Sequence, residues 1–298
     1  MTISLELQIV RKCAFGIVDA AMIEHLPHGL CIEPLVPKKL SQSAHLMPAL
    51  IDLRRTPKES LNALLRKIEE SYVLGESPSV SLFIKTDSGI TELAQYWNAM
   101  QIVEPQRGRK LWLRLHDPRV LHQLLRILEL TQRRKLFGLS QAFIYWVGTE
   151  WVTASCEPGF LSSSQIRGIR VGALYTGPAN WDWNRIERIS LVNRVLIATG
   201  VSDATALTSQ GALAEKFIER AIMQHDLSES ADLVEFATRG LQTNFSFDEC
   251  PDIVQSIRSY IGSARDSTLA DRFALIDKQV WGALPQPLNV SGEKVNDL

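Results

Sequence analysis

The chain has 298 residues, which is enough for one large domain or for two ordinary ones. Hydrophobic residues make up 45% of it and charged residues 22%, as in globular proteins, which excludes a disordered or fibrous class. Because the net charge is −1, no overall field attracts nucleic acid or an anionic membrane. No apolar run approaches the roughly 18 residues of a membrane span, and Met1–Lys12 lacks the apolar core of a signal peptide. We expect a cytoplasmic protein with no membrane span.

The N-terminal part of the chain begins with a strand signal and a helix signal. The apolar segment Cys13–Ala21 predicts a buried strand that ends near Asp19. His25–Lys39 contains three prolines and a glycine, which is typical of a loop. Thr56–Glu59 then reads as a helix start with a capping box, in which threonine is the N-cap and glutamate the third helical residue. Gly75 is a natural end for that helix.

A second group of signals ends in a sharp turn. Ser79–Lys85 is rich in β-formers, and a helix follows Gly89. The segment Arg109–Gly138 predicts a strand, a turn and a helix, because Asp117 suits the N-cap and Pro118 the first helical position. Apolar and polar residues alternate before the turn, and after it one apolar stripe runs through Leu121, Leu124, Leu125 and Leu128.

The last signal of the first half is a hairpin. Ala142–Thr153 contains two β-rich runs around Gly148-Thr149, which suits a two-residue type II′ turn. Strands and helices are thus mixed throughout residues 1–155. We predict that this lobe is α+β (mixed α/β), with helices packed on a sheet.

The second half differs in composition. Residues 156–180 are rich in glycine, proline and serine and predict a linker or long loop. Strand signals then nearly vanish, and five amphipathic patterns predict an all-α helical bundle over residues 181–284. Residues 285–298 are polar with two prolines and predict a flexible tail.

Few residues suggest catalysis. The chain lacks the motifs of phosphate-binding loops and of the nucleophile elbow. His116, Asp117 and His122 form the nearest candidate for an acid–base or metal site, which leaves a hydrolase-like enzyme as the alternative function. Helix capping already accounts for Asp117, however, and two histidines six positions apart match no common metal-ligand spacing. We therefore predict no catalytic residue, no metal site and no cofactor.

Two other residue patterns indicate contacts. Arg119 lies in the first turn of its helix, where the helix dipole disfavours a cation, so a carboxylate partner is expected. We predict a partly buried ion pair between Arg119 and Asp19. Trp181 and Trp183 are two residues apart and cannot share one face of a helix. An exposed indole there is a candidate protein-binding residue.

Nucleic-acid binding and metal binding have little support. The basic clusters Arg107–Lys110 and Arg133–Lys135 have no aromatic residues interleaved with their charges, so a solvated surface is favoured over contact with nucleic acid. The four cysteines have no CxxC spacing, which argues against a zinc site or a disulfide scaffold. We expect reduced thiols and no nucleic-acid partner.

Several of these segments, taken in order, resemble the adaptor–chaperone family of type VI secretion systems, long catalogued as a domain of unknown function. The strand–DPR–helix element at Leu111–Leu125 is the most specific piece. The other matching segments are FGIVDAA at Phe15–Ala21, HLMPALIDL at His45–Leu53, the β-rich segment near Phe83, RKLFG at Arg134–Gly138 and FSFDECPDI at Phe245–Ile253. The chain departs from the family at His116, where an aromatic residue is more usual.

The resemblance implies a non-enzymatic cytoplasmic adaptor of Gram-negative bacteria. Such an adaptor binds a cognate effector toxin and helps load it onto the spike (VgrG-type) protein of the secretion machine. The residues that carry the family motifs are expected to be structural; they are Asp19, Asp117, Pro118, Arg119, Phe137 and Gly138.

Overall fold

A computed structural model describes most of the chain, which divides into two units, Met1–Ile186 and Glu187–Leu298. The described residues are 10–103, 110–156, 181–243, 246–261 and 268–284. Residues 157–180 of the predicted linker and the whole predicted tail lie outside them, as does most of the basic cluster at Arg107–Lys110. None of the described helices is both long enough and apolar enough to cross a membrane.

The first unit is built on a six-stranded antiparallel sheet with the strand order β2-β3-β1-β4-β7-β8. A separate two-stranded ribbon pairs β5 with β6. The strands are β1 (Phe15–Val18), β2 (Ile32–Pro34), β3 (Ala49–Asp52), β4 (Leu82–Lys85), β5 (Ile102–Val103), β6 (Leu111–Trp112), β7 (Ala142–Trp146) and β8 (Trp151–Ser155).

Helices cover both faces of this sheet; they are α1 (Lys58–Leu74), α2 (Ile90–Gln101), α3 (Pro118–Ile127) and α4 (Leu130–Phe137). On one face, Ile144 of β7 belongs to an apolar cluster with residues of α1. On the other, the ring centroid of Phe143 lies 6.0 Å from that of Trp97 in α2 and 4.6 Å from that of Phe137 in α4. Central strands are therefore buried on both sides, which explains why β1, β3 and β7 read as continuous apolar runs.

Two expectations about the first strands and helix are wrong. The predicted loop His25–Lys39 contains β2, a short edge strand where Pro34 is tolerated, and the start of a 3-10 segment, Lys38–Leu46. Thr56 does not cap α1, whose N-cap is Pro57 without a side-chain hydrogen bond. The Thr56 hydroxyl instead donates to Asp52 O at 2.7 Å, which ties the helix entry to β3. Gly75 does end α1, in a left-handed conformation.

The segment before the DPR turn is less regular than its alternation predicts. Only Leu111–Trp112 is a strand, and it pairs with β5 outside the main sheet. Leu113 and Leu115 are nevertheless buried while Arg114 between them is exposed, as the alternation predicts, but His116 is buried as well and breaks the pattern. Alternation reports which side is buried and not whether a partner strand lies alongside.

The helix after the turn is broken into α3 and α4 at Leu128-Glu129. Two local hydrogen bonds stabilise the break: Arg133 Nε donates to Leu128 O at 2.9 Å, and Glu129 N donates to Gln132 Oε1, also at 2.9 Å. The first satisfies a carbonyl at the end of α3, and the second an amide at the start of α4. The basic cluster Arg133–Lys135 lies inside α4.

The hairpin formed by β7 and β8 is confirmed, with a different turn. Thr149 N donates to Val147 O at 3.0 Å, which closes a γ-turn around Gly148, whose φ is 82°. The predicted type II′ turn also places this glycine at positive φ. The sequence therefore predicted the backbone conformation of Gly148, but not the hydrogen bond that closes the turn.

In the described residues of the second unit, all regular secondary structure is helical. The helices are α5 (Trp183–Glu187), at the sequence boundary of the units, and α6 (Ile189–Ala198), α7 (Ala204–His225), α8 (Ser230–Gln242), α9 (Pro251–Ile261), α10 (Leu269–Ala274) and α11 (Lys278–Ala283). The first and last predicted helices are each divided in two. Fully buried phenylalanines form the centre of this unit; they are Phe236, Phe247 and Phe273. The predicted fold class, an α+β lobe followed by an all-α bundle, is confirmed.

Candidate functional site

The DPR turn forms a closed local unit. The Asp117 carboxylate caps α3 by accepting a hydrogen bond from Arg119 N at 3.0 Å, and Pro118 is the first helical residue, as predicted. The Arg119 side chain returns to the same carboxylate with two bonds, from Nε to Oδ1 at 3.2 Å and from Nη2 to Oδ2 at 3.0 Å. Burial acts to raise the pKa of Asp117, but the hydrogen bonds and charge of Arg119 outweigh it, so this pKa is lowered.

The predicted ion pair between Asp19 and Arg119 is wrong. Asp19 Oδ2 lies 3.6 Å from Arg114 Nη2 and 3.4 Å from His116 Nε2. Its other role is to cap the 3-10 segment Ala20–His25 by accepting a bond from Ala21 N at 3.0 Å. Asp117 is only two residues from Arg119 and already fixed as a cap, so Arg119 pairs locally without closing a long loop. Arg114 and His116 lie in the turn that precedes α3, and they are the residues that reach Asp19.

Replacing Asp117 tests whether the turn is architectural. We expect Asp117→Ala to lower the free energy of unfolding by about 1–2 kcal/mol, because α3 loses its cap and Arg119 its partner. Asp117→Asn keeps an acceptor for the cap and should cost roughly half as much. Urea unfolding followed by circular dichroism measures both. Equal losses for the two variants would show that capping is not the main role of Asp117.

The two histidines near the turn have different partners. His116 is 5% exposed, and its ring centroid lies 5.9 Å from that of Trp112. His122 is 7% exposed, and its Nδ1 lies 3.2 Å from the hydroxyl of Tyr145, whose pKa is raised by burial. Within the described ranges, no group of histidine, cysteine, aspartate and glutamate side chains could hold a metal ion. The geometry therefore adds no support for an acid–base site at His116, Asp117 and His122.

His116 should make stability depend on pH. Burial lowers the pKa of its imidazole, and Arg114 lowers it further, while the carboxylates of Asp19 and Asp117 oppose this without cancelling it. The unfolded chain, with a histidine pKa near 6.5, therefore takes up the proton first as the pH falls. This stabilisation is complete above about pH 6.5 and is lost on acidification through that value.

We expect His116→Phe to lose less stability than the wild type when the pH falls from about 7.5 to about 5.5. Urea unfolding at the two pH values measures the difference, and His45→Gln, which changes an exposed histidine, is the control. If wild type and His116→Phe lose the same free energy of unfolding, the buried imidazole is not linked to the pH dependence.

Phe137 and Gly138, the last residues of the family-like segment, are both packed. Phe137 is buried and stacks on Phe143 of the sheet. Gly138 ends α4 with φ 51° and ψ −107° and lies directly against the ring of Tyr96, where a Cβ atom would overlap it. The Tyr96 hydroxyl donates to Lys135 O in the last turn of α4. Both residues thus join α4 to the rest of the first unit.

The tryptophan pair is less exposed than a binding residue requires. Trp181 is 4% exposed and Trp183 is half-buried, with their ring centroids 5.9 Å apart. The proposal that one of them contacts a partner protein stays a prediction, and only Trp183 has surface to offer.

A more exposed apolar surface lies at the end of α1. Tyr72, Val73 and Leu74 are 51%, 78% and 70% exposed. The ring of Tyr72 packs edge-on against Trp146 at 5.7 Å, and Trp146 in turn packs against Trp151 at 5.5 Å. Aromatic contacts therefore connect the end of α1 to β8. We call this region the α1–β8 surface; it consists of Tyr72, Val73, Leu74, Trp151, Thr153 and Ser155.

β8 adds a strand edge to this surface. It is the last strand of the sheet, and Thr153 and Ser155 are exposed. Val147 N donates to Glu150 O and Cys156 N to Gln141 O, which fixes the alternation of the ladder. The backbone groups of Trp151, Thr153 and Ser155 consequently face away from β7.

The sequence contains two conflicting signals about the end of α1. Tyr72 follows Ile68 by four residues and so continues the apolar stripe of α1 that packs on the sheet. Three consecutive apolar residues, however, cannot share one helix face, so part of Tyr72–Leu74 had to be exposed. The edge position of β8 could not be inferred, because strand order is a property of the whole sheet.

The second unit contains a buried charged group that sequence reasoning missed. The Asp248 side chain is 1% exposed, and its Oδ2 lies 2.9 Å from Arg220 Nε and 2.7 Å from His225 Nε2. Arg220 also reaches the exposed Glu249 at 3.1 Å. We call these four residues the Asp248 cluster. It joins α7 to the 3-10 segment Phe247–Glu249, and its position inside the unit indicates a structural role.

Comparison with known proteins gives one match. Residues 15–135 match the model of a domain of unknown function, DUF4123. The matched part runs from β1 into α4 and includes α1 and the DPR turn, but neither β8 nor the second unit. No curated protein and no solved structure is significantly similar to the chain.

Proposed function

We propose that this chain is a cytoplasmic, non-enzymatic adaptor of a type VI secretion system that binds an effector toxin and helps load it onto the spike protein. DUF4123, which matches residues 15–135, is a family associated with effector adaptors of these systems. The observation on this chain that carries the proposal is the α1–β8 surface. A hydrolase acting through His116, Asp117 and His122 gains no support, since each of the three has a different partner.

The α1–β8 surface suits the capture of an extended segment of another protein. The outward backbone groups of β8 can pair with an added strand, which supplies hydrogen bonds independent of the partner's side chains. The exposed side chains of Val73 and Leu74 and the half-buried Trp151 offer apolar contacts beside that edge. Aromatic and aliphatic anchors of this kind contribute most of the affinity at protein interfaces. We therefore propose that an apolar, strand-forming segment of the effector binds here.

Co-purification tests the proposal. The tagged chain is expressed with the effector and spike proteins encoded by neighbouring genes, and retained partners are quantified. We expect the double variant Val73→Asp/Leu74→Asp to retain at least about tenfold less effector, because two anchors become charged. Thr153→Pro removes an outward N–H from β8 and should weaken retention as well.

Leu275→Asp is the matched control, since Leu275 is an apolar residue of the second unit that is 79% exposed. It should retain the effector as the wild type does. If the wild type binds neither effector nor spike, the adaptor proposal fails. If the wild type binds and Val73→Asp/Leu74→Asp binds equally well, the adaptor proposal stands and the α1–β8 surface is not its effector site.

A further inference from the structure

One tryptophan of the second unit is contacted from several sides by other elements. Trp281 of α11 stacks on Phe247, with ring centroids 6.5 Å apart, and meets Phe273 edge-on at 5.6 Å. Its indole Nε1 donates a hydrogen bond to Phe273 O at 3.4 Å. The guanidinium carbon of Arg239 lies 5.2 Å from the centroid of the Trp281 ring. We call Arg239, Phe247 and Phe273 the indole site; they come from α8, the 3-10 segment Phe247–Glu249 and α10.

The contacts of the indole site favour an indole over other aromatic rings. A guanidinium binds the face of tryptophan more strongly than that of tyrosine or phenylalanine. A phenylalanine ring has no donor for Phe273 O, and a tyrosine hydroxyl lies at a different point of the ring. Arg239 is also held independently of Trp281, because its Nε donates to Glu235 Oε1 at 2.8 Å. The site therefore keeps its cation in place whichever ring occupies it.

The helix that carries Trp281 is weakly held. α11 has six residues, and none of them is buried. An isolated helix needs roughly 12–15 residues to be even marginally stable in water. The hydrogen bonds from Trp281 N to Asp277 O and from Leu284 N to Trp281 O are both long, at 3.4 Å. The connection to α10, residues 275–277, includes Leu275, which is 79% exposed. Local opening of α11 therefore depends mainly on withdrawing one side chain.

Withdrawal of α11 uncovers aromatic surface. Phe247 and Phe273 are 0% and 1% exposed, and each loses a ring that packs against it when Trp281 leaves. Exposed apolar surface of this kind favours binding of a replacement ring.

We propose that the indole site is an exchangeable binding site: α11 is a displaceable latch, and a tryptophan-bearing segment of a partner protein takes the place of Trp281. The argument for this occupant is the side chain already seated there, a tryptophan on a short segment that contacts the site through its ring and its N–H. None of the residues of the indole site belongs to the α1–β8 surface. The proposal is therefore independent of the adaptor function.

Fluorescence anisotropy with the full chain tests the proposal. The probe is an N-terminally fluorescein-labelled peptide amide, Asp-Lys-Gln-Val-Trp-Gly-Ala-Leu, which is the sequence of residues 277–284. We expect Trp281→Ala, which empties the site, to bind the probe at least about tenfold more tightly than the wild type, where tethered α11 competes. The same peptide with phenylalanine in place of tryptophan should bind about fivefold more weakly, and the alanine peptide should not bind measurably.

A matched pair of arginine variants tests the cation. In the Trp281→Ala background, Arg239→Met should weaken probe binding about threefold or more, because the guanidinium over the ring is lost. Arg258→Met removes an exposed arginine of α9 that is not part of the indole site, and it should leave the affinity unchanged. Equal affinities of these two variants would overturn the role of Arg239.

Hydrogen exchange of the wild type, followed by mass spectrometry, tests the latch without any variant. Amides of α11 should exchange at least about tenfold faster than those of α8. Unlabelled probe at about 1 mM, comparable to the effective concentration of a tethered ligand, should accelerate exchange in α11 further, and the alanine peptide should not.

Four results would overturn the proposal. They are exchange of α11 as slow as that of α8, no probe binding by Trp281→Ala whose circular dichroism shows it folded, equal binding of the tryptophan and alanine peptides, and a wild-type dimer that Trp281→Ala abolishes. The last result would make a second copy of this chain the occupant. If Trp281→Ala does not fold, the exchange experiment decides.

Discussion

Asp248→Ala is expected to lower the free energy of unfolding by about 3–5 kcal/mol, as is usual when one member of a buried ion pair is removed. The Asp248 carboxylate neutralises Arg220 and accepts a hydrogen bond from His225, and the side chains of those two partners are only 11% and 15% exposed. Without Asp248, Arg220 remains largely buried, and the exposed Glu249 is the acidic partner that is left to it among the residues that the structure describes. His225 loses the acceptor that holds its ring beside Phe236.

Glu249→Ala is the matched control for this prediction. Glu249 pairs with the same arginine, but its side chain is 68% exposed, so solvent screens the interaction. Its loss should cost no more than about 1 kcal/mol. Urea unfolding of the full chain, followed by circular dichroism at 222 nm (the helical signal), measures both variants. A loss for Asp248→Ala no larger than that for Glu249→Ala would show that the Asp248 cluster does not hold the second unit together.

Gly138→Ala is the second variant for which we expect a large effect. It should lower the free energy of unfolding by about 3 kcal/mol or more. The backbone of Gly138, at φ 51° and ψ −107°, lies in a region that residues with a Cβ atom rarely adopt. The added Cβ would also overlap the Tyr96 ring, which packs against Gly138 and donates a hydrogen bond to α4. Moving the ring disturbs buried packing, and overpacking of this kind costs about 1–3 kcal/mol in addition to the backbone strain.

Gly75→Ala measures the cost of an alanine at positive φ without a steric overlap. Gly75 ends α1 at φ 69° and ψ 22°, in the left-handed helical region, and no atom lies within 4 Å of the position of its Cβ. Only backbone strain acts at Gly75, so we expect Gly75→Ala to lower the free energy of unfolding by about 1 kcal/mol. Thermal and urea unfolding of both variants provide the comparison. If Gly138→Ala is no worse than Gly75→Ala, the contact with Tyr96 does not require a glycine at this position.

Local sequence signals predicted where helices begin and end better than they predicted which side chains interact. The cap at Asp117, the position of Pro118 and the end of α1 at Gly75 each depend on a few neighbouring atoms, and all three are as expected. The capping box at Thr56 failed because its hydroxyl oxygen accepts a hydrogen bond from Cys31 N, 25 positions away along the chain, at 3.2 Å. Tertiary contacts overrule a local preference when they offer the same hydrogen bond.

The candidate sites show the same division. The sequence drew attention to His116, Asp117 and His122, which lie close together along the chain, but the fold gives each a separate partner. The α1–β8 surface, by contrast, combines residues about eighty positions apart. This combination could not be found from spacing, because spacing reports neighbours within one element only.

By itself, the sequence determined the fold class, the change from an α+β lobe to a helical bundle, and the strand–turn–helix outline of the DPR segment. These follow from periodicity and turn chemistry, which act over a few residues. Only the tertiary structure decided that Arg119 pairs with Asp117 and not with Asp19, and that β8 lies at the edge of the sheet. Partner choice depends on which elements the sheet order brings together, and that order results from packing the whole unit at once.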